Sequence, residues 1–245
     1  MRKLFLFLVS AVLLSACVEH IDPFDPAAPT ASKFSVLGDS YSTFEGYVYP
    51  DSNECWGHYS EIGVNDVEKM WWYRVAVEME WSMERNNSFT GTLICNYHEF
   101  PNGDHYMRNS FIHRMYGLGN PDVILILGGT NDVYKNAPFG DYVYANWTDE
   151  QLCSFRPAMA YLLDNVKRLY PDAKLYFLLE TDPFPDSITE ETRQNLIESV
   201  HRITNHYGVD CIDLEIHKSW NHPDVRGQKD IARQVLERLE VDFNV

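Results

Sequence analysis

Short apolar runs alternate with longer amphipathic stretches along most of the chain. Runs of strand length, rich in β-branched and aromatic residues, occupy 34–37, 122–127, 174–179 and 209–214. They lack polar alternation, the mark of strands covered on both faces of a parallel sheet. A fifth, short strand is placed at 84–88. Between the strands, helical apolar periodicity covers 67–80, 106–116, 149–169, 190–206 and 224–239. Strands alternating with helices imply right-handed crossovers and an α/β fold, a three-layer α/β/α sandwich around a mostly parallel five-stranded sheet. Ligands of such sheets bind beyond the carboxyl ends of the strands, so the residues just after each strand are where chemistry is to be sought.

The N-terminal pattern is different. Arg2 and Lys3 precede an apolar run over 4–14 that ends in Leu14-Ser15-Ala16-Cys17. A positive start, a short apolar stretch and small residues before a cut site read as an export signal over 1–16, and the run is too short for a membrane span. The last four residues resemble the lipobox of bacterial lipoproteins. That resemblance implies a lipidated Cys17 as the mature N-terminus, a membrane anchor, and a place in the bacterial cell envelope on the periplasmic or outer surface. Residues 17–32, with Pro23, Pro26 and Pro29 and no apolar periodicity, form a tether, and 33–245 form one domain.

Charge narrows the partners. Lys and Arg number 20 against 36 Asp and Glu, a formal charge of −16 with the basic residues scattered, which excludes nucleic acid. A hydrophobic fraction of 45% is ample for a core and excludes a disordered acidic chain. The domain is expected to be a monomer. Cys55, Cys95, Cys153 and Cys211 permit two disulfides in an oxidising compartment, with Cys55–Cys95 the favoured pair, while Cys211 fits a buried free thiol equally well. None has the spacing of a structural zinc site, and neither a metal nor a cofactor is expected. His98, Glu99, Asp104 and His105 read as a polar surface loop.

Three features follow the strands. Gly38-Asp39-Ser40 places a serine on a tight strand-to-helix turn, where a hydroxyl and a backbone N–H are both exposed. Gly128-Gly129-Thr130-Asn131-Asp132 offers close backbone approach and, in Asn131, an amide that can donate to developing negative charge. His222-Pro223 precedes the last helix, and a histidine there suits a general base, its charge changing near the ordinary value of about 6.5. The first two alone are also good turn or cap chemistry, and a lone histidine is more often an exposed loop residue.

Together, and in this order, these blocks resemble the SGNH/GDSL hydrolase family over the whole domain. The family's glycine block is weaker here, with Gly91 in Thr90-Gly91-Thr92 as the candidate. The resemblance implies the flavodoxin-like SGNH hydrolase fold and an esterase without metal: Ser40 attacks an acyl carbonyl, His222 takes its proton, and Ser40 N–H, Gly91 N–H and Asn131 form the oxyanion hole. One position departs. Where the family has Asp three residues before the histidine, this chain has Ser219. Either a backbone carbonyl near Ser219 orients His222, or a carboxylate such as Asp213, Glu215 or Asp224 does so, although Asp224 also suits a helix-capping acid.

The loop from Tyr41 to Tyr59 adds Phe44, Tyr47, Tyr49 and Trp56, aromatic faces able to stack on sugar rings or to fold the loop onto the body, whereas Trp71, Trp72 and Tyr73 belong to the core. The expected function is therefore hydrolysis of acyl esters, acetyl on carbohydrate foremost, through an acyl-enzyme. The alternatives are a lipase or thioesterase of the same family, or a glycan-binding surface lipoprotein with weak catalysis. A histidine base near its ordinary value predicts activity that declines as pH falls from about 8 to 5.

Overall fold

The computed structural model describes residues 32–182 and 187–243. Five parallel strands, β1 (Lys33–Gly38), β2 (Ser82–Asn86), β3 (Val123–Leu127), β4 (Lys174–Glu180) and β5 (Asp210–Leu214), form one sheet in the order β2-β1-β3-β4-β5. A two-stranded antiparallel ribbon, β6 (Lys218–Ser219) and β7 (His222–Pro223), follows the last of them. In this order the chain reverses direction across the sheet between β1 and β3, which opens a crevice at their carboxyl ends.

Both faces of the sheet are covered. Phe34, Val36, Leu125, Tyr176, Leu178 and Leu214 pack on one side under α1 (Trp71–Glu78) and α7 (Val225–Phe243). Leu37, Ile124, Ile126, Phe177 and Leu179 pack on the other under α5 (Phe155–Leu169) and α6 (Glu190–Tyr207). Successive strand side chains alternate between two dry layers, so the apolar runs show no polar period. Trp71 and Trp72 are fully buried in the first layer, as expected.

Several helices are shorter than their apolar patterns. Met70 is extended (φ −67°, ψ 143°), so the pattern over 67–80 becomes a 3₁₀ turn, Val67–Lys69, and then α1. The pattern over 106–116 breaks at the extended Ser110 into α2 (Gly103–Arg108) and α3 (Phe111–Arg114). Ser154 similarly delays α5, and α4 (Thr130–Tyr134) is a single short helix after β3. The fifth strand runs over Ser82–Asn86 rather than 84–88, because Asn87 N and Phe89 N already donate to Val36 O and Gly38 O as the chain turns toward the end of β1.

Cys55, Cys95, Cys153 and Cys211 are all free thiols. The expected Cys55–Cys95 bridge is not formed: Cys95 is fully buried in the α5/α6 layer, while Cys55 lines a surface cavity in the loop after β1. Cys17, with the rest of residues 1–31, lies outside the described residues. Among the described residues no helix is long and apolar enough to cross a membrane.

Candidate active site

Ser40 and Asn131 reach one cavity because the turn after β1 and the start of α4 flank the same crevice. The cavity, about 380 Å³, is lined by Ser40, Tyr41, Asn131, Trp220 and His222 among others. Gly38 ends β1 where a Cβ would stand 2.7 Å from Ser42 Oγ and 2.8 Å from Ser88 Oγ, so only glycine lets the turn tighten there. Ser42 N–H donates to Asp39 O at 3.1 Å, and Tyr59 Oη donates to Ser40 O, which fixes the serine in a largely buried turn.

His222 Nε2 lies 3.0 Å from Ser40 Oγ, and His222 Nδ1 lies 3.2 Å from Trp220 O. With Nδ1 protonated and donating to the carbonyl, Nε2 is left as the acceptor for the serine hydroxyl. The carbonyl is aimed by the β6–β7 turn, in which Trp220 (φ 53°) and Asn221 (φ 60°) are both left-handed, as a two-residue hairpin turn requires. Tyr41 Oη braces the turn by donating to Asn221 O at 3.0 Å. Of the two arrangements left open for the missing carboxylate, the structure has the carbonyl. Asp213 pairs with His201, Glu215 lines a separate cavity beside His217, and Asp224 accepts from Ser219 Oγ and from the N–H groups of Arg226 and Gly227 as the cap of α7.

Trp56 stacks on His222 with ring centroids 3.8 Å apart and planes 10° from parallel, and Tyr41 meets its edge at 5.5 Å. Burial in this aromatic slot lowers the imidazole pKa to about 4; the Trp220 carbonyl opposes that shift, and the neighbouring His58 and Lys218 add to it. This corrects the expectation of an ordinary histidine, since the ring stays neutral throughout the mildly acid range.

Asn131 Nδ2 sits at 3.1 Å from Thr92 O and 3.2 Å from Asp39 Oδ2. Asp39 is buried, which raises its carboxyl to about 7 against the opposing Tyr41 N–H and the nearby Arg114 guanidinium. Arg114, itself buried, donates to Gly38 O at 3.0 Å and Thr92 Oγ1 at 2.9 Å, tying the nucleophile turn to the Gly91 segment. Gly91 has φ 69°, and a Cβ there would meet Tyr106 at 2.7 Å. It adjoins the site through Thr92, but it is not among the residues lining the cavity.

Other supports carry no motif. Asp132 Oδ2 and Oδ1 accept from Ile94 N at 2.9 Å and Cys95 N at 3.2 Å, holding the 91–95 segment against α4. Glu180, at the end of β4, accepts from Thr130 Oγ1 at 3.1 Å and pairs with Lys218 of the hairpin. Gln228 on α7 accepts from Trp71 N at 2.8 Å and donates to Tyr41 O at 3.3 Å. His98 and His105 do not converge on a site: one faces Asn96 O, and the other pairs with Glu54.

A serine hydroxyl 3.0 Å from an imidazole nitrogen, with an amide beside it at the crevice of a doubly wound sheet, is an arrangement suited to acyl-ester hydrolysis. The chain matches the GDSL-like lipase/acylhydrolase family over residues 32–239 and belongs to that family. Among solved structures it resembles a GDSL-like lipase from Bacteroides ovatus, with 41% identity and a TM-score of 0.77 over 86% of this chain and 99% of that one. A GDSL-like lipase from Bacteroides uniformis is similar at 42% identity and TM-score 0.77, covering 87% and 97%. A family two carbohydrate esterase from Clostridium thermocellum shares the fold at 17% identity and TM-score 0.52, over 88% of this chain and 66% of that one. No curated protein sequence matches.

Proposed function

We propose that the protein is a serine esterase that removes small acyl groups, acetyl foremost, from carbohydrate, working as a lipid-anchored monomer in the bacterial envelope. The observation that carries the chemistry is the chain of contacts from Ser40 Oγ to His222 Nε2 at 3.0 Å and from His222 Nδ1 to Trp220 O at 3.2 Å. His222 takes the proton as Ser40 Oγ attacks the acyl carbon. The oxyanion is met by the Ser40 N–H group and by Asn131, whose bond to Asp39 is the longer of its two and the one to be shared, while the Gly91 segment, outside the cavity lining, holds Asn131 through Thr92 O. His222 then gives its proton to the departing alcohol, and a water activated by the same imidazole releases the acid. During both steps the imidazolium is stabilised by the Trp220 carbonyl dipole and by the indole face of Trp56, within cation–π range.

A glycan ester is supported by Trp220, 68% exposed on the lip of the cavity, and by the carbohydrate esterase that shares the fold. The carbonyl in place of the family's carboxylate favours an active enzyme over a glycan-binding relic. The test is hydrolysis of an aryl acetate and of acetylated sugars beside longer acyl esters: Ser40→Ala removes activity on all, and acetylated sugars are turned over best. Activity that persists in Ser40→Ala refutes the mechanism, and preference for long acyl chains refutes the substrate.

A further inference from the structure

Away from the catalytic crevice, three side chains of different ligand chemistry meet at the edge of the sheet. β5 is an outer strand, and Cys211 and Asp213 stand two residues apart on it, so they project to the same face. That face is covered by α6, whose His201 places Nε2 3.0 Å from Asp213 Oδ1. Cys211 Sγ lies 3.8 Å from the same oxygen, and the three ligand atoms all lie within 4.8 Å of one another. None of the three lines the Ser40 cavity.

A tetrahedral zinc ion with one sulfur at about 2.3 Å and nitrogen and oxygen at about 2.0–2.2 Å sets its ligand atoms about 3.4–3.6 Å apart. The nitrogen–oxygen spacing is slightly shorter than this and the sulfur–oxygen spacing slightly longer. The sulfur–nitrogen spacing, no more than 4.8 Å, is the gap that side-chain rotation has to close. The backbones that carry them are already fixed: α6 is capped by Thr189 at its start and Gly208 at its end, and β5 is paired along its length with β4.

We propose that His201, Cys211 and Asp213 bind a borderline divalent transition metal, zinc foremost, which pins α6 to the open edge of the sheet. The donor set selects the ion. Calcium and magnesium take oxygen ligands, whereas one thiolate with one imidazole and one carboxylate suits zinc and its neighbours. On binding, the Cys211 thiol loses its proton to solvent as the sulfur–metal bond forms, and the His201–Asp213 contact opens, with the His201 Nε2 proton moving to solvent or to Nδ1 so that Nε2 and the carboxylate both become ligands. His201 and Asp213 keep 39% and 49% of their side-chain surface exposed, so the ion has a path in and the fourth position is open to water.

Cobalt(II) titration of the reduced protein reads the site directly. One equivalent is expected to give a thiolate-to-cobalt charge-transfer band in the near ultraviolet, lost on adding one equivalent of zinc. Cys211→Ser abolishes the band, while Cys55→Ser and Cys153→Ser keep it. His201→Ala and Asp213→Asn weaken zinc binding by at least roughly tenfold, since even outer-shell losses cost that much. All variants retain ester hydrolysis, which shows that they are folded. No charge-transfer band in the parent protein, a band that survives in Cys211→Ser, or zinc affinity unchanged in His201→Ala overturns the proposal.

Discussion

The His222 ring is held between the Trp56 face and the Tyr41 edge, and burial there keeps it neutral down to about pH 4. Only the neutral ring can accept the Ser40 proton, so kcat/KM for an aryl acetate is expected to stay level from about pH 8 to 5 and to fall as pH drops through about 4. A pH–rate profile checks this, and an acid limb near 6.5 would show a solvated imidazole. Trp56→Leu lets water reach the ring and moves that limb upward toward the ordinary value of about 6.5, with kcat down on the order of tenfold, whereas Trp56→Phe restores most of both. Ser40, Asn131 and His222 were legible because each sits in a short polar block directly after an apolar run or before an amphipathic one. Trp56 was visible only as one aromatic among several in its loop. Its stacking partner lies more than a hundred residues away, and nothing in the local pattern joins the two.

The β6–β7 hairpin does for His222 what a carboxylate does elsewhere, and it does so with backbone. Left-handed Trp220 carries an unfavourable conformation for a large side chain, worth about 1 kcal/mol or more. Trp220→Asn is therefore expected to leave the thermal midpoint unchanged or higher and aryl-acetate hydrolysis within a few-fold, because the carbonyl stays in place. Asn221→Pro, whose ring cannot adopt φ 60°, should cost well over tenfold in kcat; equal activity in both variants would refute the carbonyl's role. The hairpin is also tethered by the Lys218–Glu180 pair, whose carboxylate is 1% exposed and whose ammonium side chain is 13% exposed. Glu180→Gln removes the buried carboxylate that faces the Lys218 ammonium and is expected to lower unfolding stability by about 3 kcal/mol, and adding Lys218→Met should recover much of that in denaturant titrations. The four long apolar strands appeared at their observed places within a residue or two, since burial on both faces leaves a strong signal. The helices that broke did so at Met70, Ser110 and Ser154, where tertiary packing overrides an apolar period that runs on unbroken. A ribbon of two residues per strand has no period to detect.

At the scale of the whole molecule, two dry layers hold a rigid sheet, and the reversal of strand order between β1 and β3 gathers residues from distant parts of the chain at one crevice. The formal charge of −16 makes the chain acidic as a whole, which disfavours strongly anionic partners. Buried Asp39, Asp132 and Glu180 lie beneath the site with Arg114 and Lys218, a polar network inside an otherwise apolar body that fixes the nucleophile turn, α4 and the hairpin relative to one another. The acidity and the fold class were readable from composition and period; this network was not, because a buried carboxylate and a surface one look alike in sequence. The proposed chemistry rests on Ser40 acting as a nucleophile activated by His222. Treatment with a serine-directed organophosphonate followed by peptide mass mapping tests it most directly. One adduct per chain is expected, on Ser40, formed together with loss of esterase activity and far more slowly in His222→Ala; no adduct at Ser40 under conditions that leave the fold intact would refute the nucleophile.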